Sequence, residues 1–186
     1  MRLNVFVLRV KKSLRHPKAN LEDREEFKQK INTYQKQRQP IIYIDESGFA
    51  HDMPRTHGYS QQGERCYGTQ DWQARGRVNV IGAIQNNQLI TASLFEGNID
   101  SDTFHAWVVQ DMLPKLPAKS IIVMDNATFH KRQDTQQSIQ NAGHILEYLP
   151  AYSPDLNPIE QKWAHAKALR KKYRCDVDEL LRSFLC

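Results

Sequence analysis

The chain has 186 residues, 40% hydrophobic and 25% charged, with a formal net charge of +5, a pI near 9.1 and a mean hydropathy of -0.67. These values fit one domain with its own core and exclude a disordered or membrane-spanning chain. Cys66, Cys175 and Cys186 form no C-x-x-C pair, which argues against a disulfide framework or zinc site, and residues 3–10, broken by Asn4 and Arg9, make a poor secretory signal, so a cytoplasmic protein is expected.

The first predicted element is a helix over about residues 20–37, rich in Glu, Lys, Gln and Arg, with Leu21, Phe27, Ile31 and Tyr34 on one stripe and Pro40 as its stop. It belongs to a basic helical arm, residues 1–40, which precedes an α/β body over 41–175 and a C-terminal tail over 176–186. Ile41-Ile42-Tyr43-Ile44 reads as a strand ending at Asp45-Glu46, followed by a long loop to Gly76. Residues 78–84 and 89–95 flank Gln85-Asn86-Asn87-Gln88 and form an antiparallel hairpin. Residues 102–113, with Phe104, Trp107, Val108 and Met112 on one side, predict an amphipathic helix stopped by Pro114. Ile121-Ile122-Val123-Met124 is a second buried strand, ending at Asp125-Asn126. A polar helix to about Asn141, capped by Gly143, a strand over 144–149 and a last helix from Pro158 complete the order. Such an order gives a mixed α/β sheet.

Charge is unevenly spread. Residues 1–40 carry 11 Lys+Arg against 4 Asp+Glu, residues 41–160 carry 8 against 14, and residues 161–186 carry 7 against 3. An acidic middle between basic ends suits carboxylates that gather metal beside flanks that neutralise a polyanion; solvated helix faces are the plainer explanation. Three acidic residues occupy equivalent places: Asp45 and Asp125 at strand ends and Glu160 in the first turn of the last helix. Carboxylates crowded at neighbouring strand ends repel one another, and a divalent cation relieves this; oxygen-only ligands favour magnesium or manganese. Each also has an ordinary role. Both aspartates suit turns, and Asn157, Pro158 and Glu160 fit a capping box in which the Glu bonds back to the cap.

Three motifs resemble those of the DDE transposases of the mariner-like superfamily, in the branch found in bacterial insertion sequences. They are Ile42-Tyr43-Ile44-Asp45-Glu46-Ser47-Gly48-Phe49, Val123-Met124-Asp125-Asn126-Ala127-Thr128-Phe129-His130, and Leu149-Pro150-Ala151-Tyr152-Ser153-Pro154-Asp155-Leu156-Asn157-Pro158-Ile159-Glu160. The 34 residues between Asp125 and Glu160 are similar to that branch's spacing. The resemblance implies an RNase H-like, mixed five-stranded sheet flanked by helices and a catalytic triad of Asp45, Asp125 and Glu160. It also implies two divalent ions, Mg2+ with Mn2+ as substitute, held by the same three carboxylates, with Asp45 as the expected bridging ligand. The implied activity is DNA cleavage and strand transfer at transposon ends, with TA-containing targets, by a homodimer on DNA in a bacterial, nucleoid-associated setting.

Around the triad, Glu46, Asn126 and His130 are expected auxiliaries. His130 fits a helix-cap or surface histidine, with contact to the scissile phosphate or water as the alternative. Lys162, Lys167, Arg170 and Lys171 are expected to carry the DNA backbone, a solvated basic face being the alternative. Between residues 50 and 77, Arg55, Arg65, Arg75, Arg77, Tyr59, Tyr67 and Trp72 suit either base stacking or a core. Family members usually carry two helix-turn-helix units before the catalytic domain, whereas about forty basic residues precede the first strand here. Weak end recognition is therefore expected, with residues 9–19 as the remnant of a DNA-binding helix and its connector. Two competing functions are a non-catalytic DNA-binding or inhibitory transposase fragment and an RNase H-like structure-directed nuclease.

Overall fold

The computed structural model describes residues 16–51, 61–65 and 76–185, the side chains of 184 and 185 excepted. Helix α1 (Leu21–Lys36) starts at Asn20, whose side chain accepts from the Glu22 N–H at 2.9 Å. Phe27 and Ile31 are buried whereas Leu21 is 60% exposed, so the apolar stripe begins one turn later than its spacing suggests. Most of the arm's expected DNA-binding remnant, together with Arg55, Tyr59, Tyr67, Trp72 and Arg75, lies outside the described residues.

Strand β1 (Ile41–Ala50) does not end at Asp45-Glu46 as expected. It runs on because β2 (Arg77–Gln85) pairs with it antiparallel as far as Ala50 with Arg77, and the His51 N–H donates to the Gly76 carbonyl at 3.1 Å just beyond. The turn to β3 (Gln88–Phe95) places Asn86 and Asn87 at φ 47 and 66, the left-handed pair that a two-residue hairpin turn requires and that Asn tolerates. Helix α2 (Ser101–Trp107) continues as a π-helical turn, Val108–Met112, and a 3-10 turn, Leu113–Lys115, which holds Pro114. Proline thus sits inside the final turn, where its missing N–H is tolerated, rather than stopping a regular helix. The remaining elements are β4 (Ile121–Met124), a 3-10 turn Thr128–Lys131, α3 (Gln133–Asn141), β5 (Ile145–Tyr148), a 3-10 turn Pro154–Leu156, α4 (Pro158–Tyr173) and α5 (Val177–Leu185).

The five strands are ordered β3-β2-β1-β4-β5, with β1–β2 and β2–β3 antiparallel and β1–β4 and β4–β5 parallel. This is the mixed five-stranded sheet flanked by helices that the motifs implied. Period-two alternation divides its side chains between two faces. Ile42, Ile44, Ile81, Ala83, Ile122 and Met124 pack with Phe104, Trp107, Val108, Met112 and Ile139 of α2, its π turn and α3. On the other face Val80 and Ile84 meet Ile159, Trp163 and Ala166 of α4, while Ile41, Ile121 and Val123 meet Phe27 and Ile31 of α1.

The segment expected to be a tail is instead helix α5. Val177, Leu180 and Leu181 recur at helical spacing and bury against Phe49, Val80 and Trp163, which offsets the entropy of ordering the segment. Among the described residues no helix is long and apolar enough to cross a membrane.

Trp163 locks α4 to the sheet at one position without a side chain. A Cβ on Gly82 would lie 2.7 Å from Trp163 Cη2 and 2.8 Å from Cζ2, and the ring is itself packed edge-on to Phe49. Gly82→Ala is expected to destabilise the fold by about 1–3 kcal/mol, the usual penalty of overpacking. Urea unfolding should show this as a lower midpoint at unchanged slope.

Candidate active site

The parallel ladder between β1 and β4 pairs Ile41 with Ile121, Ile42 with Ile122 and Tyr43 with Val123. Carried two residues further, the same register sets Asp45 level with Asp125, on the face that Tyr43 and Val123 occupy. Asp45 is mid-strand, not at a strand end. It nevertheless borders open space, because β4 stops at Met124 while β1 continues along β2. Asp45, Asp125, Asn126 and Glu160 line one open cleft of about 390 Å³ whose far wall is the loop from Leu149 to Asn157.

Glu160 reaches this cleft from the first turn of α4, and the capping box is not formed. Asn157 holds the N-cap position without a side-chain cap bond; its Nδ2 donates to the Ile44 carbonyl at 3.4 Å, and its buried Oδ1 has no partner. Only backbone closes the turn, with the Glu160 N–H donating to the Asn157 carbonyl at 3.2 Å. Asn157 thus ties the start of α4 to β1 and leaves the Glu160 carboxylate exposed.

His130 is neither a cap nor a surface residue. It is fully buried, with its ring centroid 4.3 Å from that of Phe104 and 4.1 Å from that of Phe129. Nδ1 lies 2.5 Å from Asp125 Oδ1 and Nε2 lies 2.8 Å from Glu46 Oε1. Burial disfavours the imidazolium, but the bonds to Asp125 and Glu46 outweigh it and raise the ring to about 9, so that both nitrogens donate. Burial alone would raise Asp125; donation from His130 and from the Ala127 N–H at 2.9 Å holds it below the usual carboxylate range. Asp45 has only a bond from the Glu46 backbone to set against its surroundings among the causes that act on it. Burial, then the charges of Glu160 and Glu46, push it up to about 8.

The cleft therefore has a fixed anionic wall at Asp125, a carboxyl at Asp45 that resists ionisation, and a mobile-length acidic side chain at Glu160. The donor set is all oxygen, which fits a hard divalent ion, and a cation beside Asp45 would offset the burial and repulsion that raise it. Among the described residues, no three His, Cys, Asp or Glu side chains stand grouped so that they could hold a metal ion.

The expected DNA contacts separate. Arg170 is buried, 6% exposed, with Nη1 donating to the Ala50 carbonyl at 2.6 Å; it ties α4 to the end of β1 and is not a DNA contact. A charge inside an otherwise apolar helix face needs such a fixed acceptor. Lys162 is half-buried and lines a separate pocket of about 110 Å³ beside the β2–β3 turn. Lys167 and Lys171 are exposed, the former with its Nζ 5.6 Å from the Phe49 ring centre.

Two supports of the cleft have no sequence signal of their own. Arg24, on α1, is 5% exposed and grips Asp155 with two bonds, Nη1 to Oδ1 at 2.9 Å and Nη2 to Oδ2 at 2.6 Å. His16, ahead of α1, stacks on Tyr152 in the far wall, with centroids 4.6 Å apart and planes at 10°. Arg24 is one of many charges on a polar helix, and only the fold sets it against the third motif.

The model of the DDE superfamily endonuclease family matches residues 40–181. No curated protein sequence matches the chain. Among solved structures, the chain is similar to the mariner Mos1 paired end complex with Mg, at TM-score 0.66 and 17% identity, over 89% of this chain and 53% of that one. The Mos1 strand transfer complex gives TM-score 0.64 and 18% identity, over 86% and 52%. The catalytic domain of Mos1 mariner transposase gives 0.56 and 14%, over 84% and 76%. The chain thus spans about half the length of the Mos1 chains in those two complexes. At these identities the likeness establishes a common fold.

The Arg24–Asp155 pair should report on the far wall. Asp155 is 41% exposed, so solvent screens the pair, and Arg24→Ala is expected to cost about 1 kcal/mol rather than the larger value of a buried pair. Arg24 holds the Asp155 carboxyl below its ordinary range. Its contribution is therefore full above the ordinary carboxylate pKa and lost as pH falls through the depressed one. Urea titrations of wild type and variant should differ at neutral pH and converge in acid.

Proposed function

Because the chain belongs to the DDE superfamily endonuclease family, we propose that it is the catalytic portion of a transposase that cuts DNA at transposon ends and joins the freed 3′ ends to target DNA. The observation that carries this reading is the single cleft shared by Asp45, Asp125 and Glu160. Hydrolysis of a phosphodiester and attack by a 3′-hydroxyl are the same in-line displacement with different nucleophiles, so one site serves both steps. The Mos1 complexes, a paired end complex with Mg and a strand transfer complex, support the choice of metal and of reaction. Insertion-sequence ancestry is supported by the 34-residue interval and by Glu as third member. A TA-containing target and a homodimer on DNA are parts of the same proposal.

Asp45, Asp125 and Glu160 are the residues that would hold two divalent ions, Mg2+ or Mn2+. Bound there, the ions supply Lewis-acid stabilisation of the attacking and leaving oxygens. The chain's own residues do the positioning. His130, braced by Glu46 and walled by Phe104 and Phe129, fixes one oxygen of Asp125. Asn157 and Trp163 fix the start of α4, and hence the reach of Glu160. Lys167 and Lys171, exposed on the same helix, are assigned to DNA phosphates; Asn126 lines the cleft mouth, beside the incoming strand.

A strand-transfer assay with pre-cleaved ends and Mg2+ or Mn2+ tests the activity, with joined as well as cut products expected. Asp125→Asn should abolish both while leaving gel-shift affinity equal or higher, since it removes a ligand charge that also repels phosphate. Wild-type turnover by that variant would refute the assignment. Binding should weaken steeply with salt, and Lys167→Ala should lower the salt slope by about one, the loss of one phosphate contact.

A further inference from the structure

Tyr152 is conspicuous among the residues of the cleft. It is 52% exposed and lines the same cleft as Asp45 and Asp125, in the loop that leads to Glu160. Its backbone is left-handed, φ 55, a conformation that a bulky non-glycine residue adopts at a cost of about 1 kcal/mol or more. The surroundings enforce it: the Ser153 hydroxyl donates to the Ala151 carbonyl at 3.2 Å, and Arg24 grips Asp155 two residues on. A strained backbone that keeps a large ring in solvent needs a reason other than packing.

The ring's face already accepts a flat partner. His16 lies parallel to it, 4.6 Å away and tilted by 10°, and is itself exposed. Among the described residues, the His16 ring's other bond is acceptance from the Lys18 N–H, at 3.2 Å. The contact joins two surface rings and buries neither, so a larger planar group displaces the imidazole at little loss.

We propose that Tyr152 is a stacking platform for an unpaired nucleobase of the DNA strand lying in the cleft, and that His16 occupies this face until DNA arrives. The proposal rests on the reading of the cleft as a DNA site and adds a base contact to it. Stacking on an aromatic face is tolerant of sequence and demands an unpaired base, which is what a strand opened or frayed beside the scissile phosphate presents. A platform on a pinned loop also limits the distance from that base to the carboxylates, since the connection that carries Tyr152 runs directly into α4, whose first turn carries Glu160.

The test is equilibrium binding of the 186-residue chain, without divalent ions, to a short oligothymidine strand and to an abasic strand of equal length and charge. Tyr152→Ala should weaken binding to oligothymidine by about fivefold or more, the lower end of what one base–aromatic stack contributes, and leave the abasic strand unchanged. Tyr152→Phe should behave as wild type, and His16→Ala should bind oligothymidine more tightly. A strand carrying 2-aminopurine should be quenched by wild type and by Tyr152→Phe, a readout independent of how the alanine variant folds. Equal weakening on both strands, or no quenching by wild type, would overturn the platform; weaker binding by His16→Ala would overturn the placeholder. No cleavage is involved, so a chain that stacks bases but neither cuts nor joins leaves this inference standing and sinks the proposed activity. Cutting and joining without base-dependent binding does the reverse.

Discussion

Three ladder pairs between two parallel strands hold the site together. Ile41–Ile121, Ile42–Ile122 and Tyr43–Val123 fix β4 against β1 in one register, and every one of these residues except Tyr43 is buried. A slip of one residue would turn Asp125 to the opposite face and exchange the two buried sets, Ile121 and Val123 against α1 and Ile122 and Met124 against α2 and α3. The apolar residues that stabilise the sheet are thus the ones that bring the two aspartates level. Stability and site geometry are set by the same contacts, as is usual where a site is built on strands rather than on free loops.

Within that frame the site has to manage its own repulsion. Asp45, Glu46, Asp125 and Glu160 bring four carboxyl groups to one region, and they are accommodated in three ways. Glu46 and Asp125 share the buried imidazolium of His130. Glu160 remains in solvent, where its charge costs least, at a helix start whose dipole favours it. At Asp45 burial and the charges of Glu160 and Glu46 outweigh the bond from the Glu46 backbone and raise its pKa. A positive charge placed beside Asp45 would offset both.

Much of this was legible in the sequence because periodicity and punctuation are local. β-branched runs gave β1 and β4, the Asn pair gave the hairpin, and the three motifs named the acidic residues. What was not legible depended on partners far away. The end of β1 is decided by β2 and not by Asp45, and α5 looks like a tail until Phe49, Val80 and Trp163 are placed beneath it. Arg170 shares the basic composition of its neighbours, yet burial and the Ala50 carbonyl take it out of the DNA-facing set. His130 follows Asp125 by a spacing that suits a helix cap; its burial becomes visible only when Phe104 and Glu46 converge on it. Asn157 has the type and position of a cap, and the nearby Ile44 carbonyl draws its amide instead.

The junction of β1 and β2 has a consequence of a different kind. Ala50 pairs with Arg77, and the His51 N–H donates to the Gly76 carbonyl, so β1 and β2 part at a pinched neck. Arg170 secures one side of that neck from α4. Where strand pairing holds two chain ends together, the closure entropy of the connection between them grows only logarithmically, and doubling a flexible connection's length costs about 0.6 kcal/mol. Closure entropy therefore sets no tight limit on length at this neck, and the register that brings Asp45 level with Asp125 is fixed away from it, at Ile41, Ile42 and Tyr43.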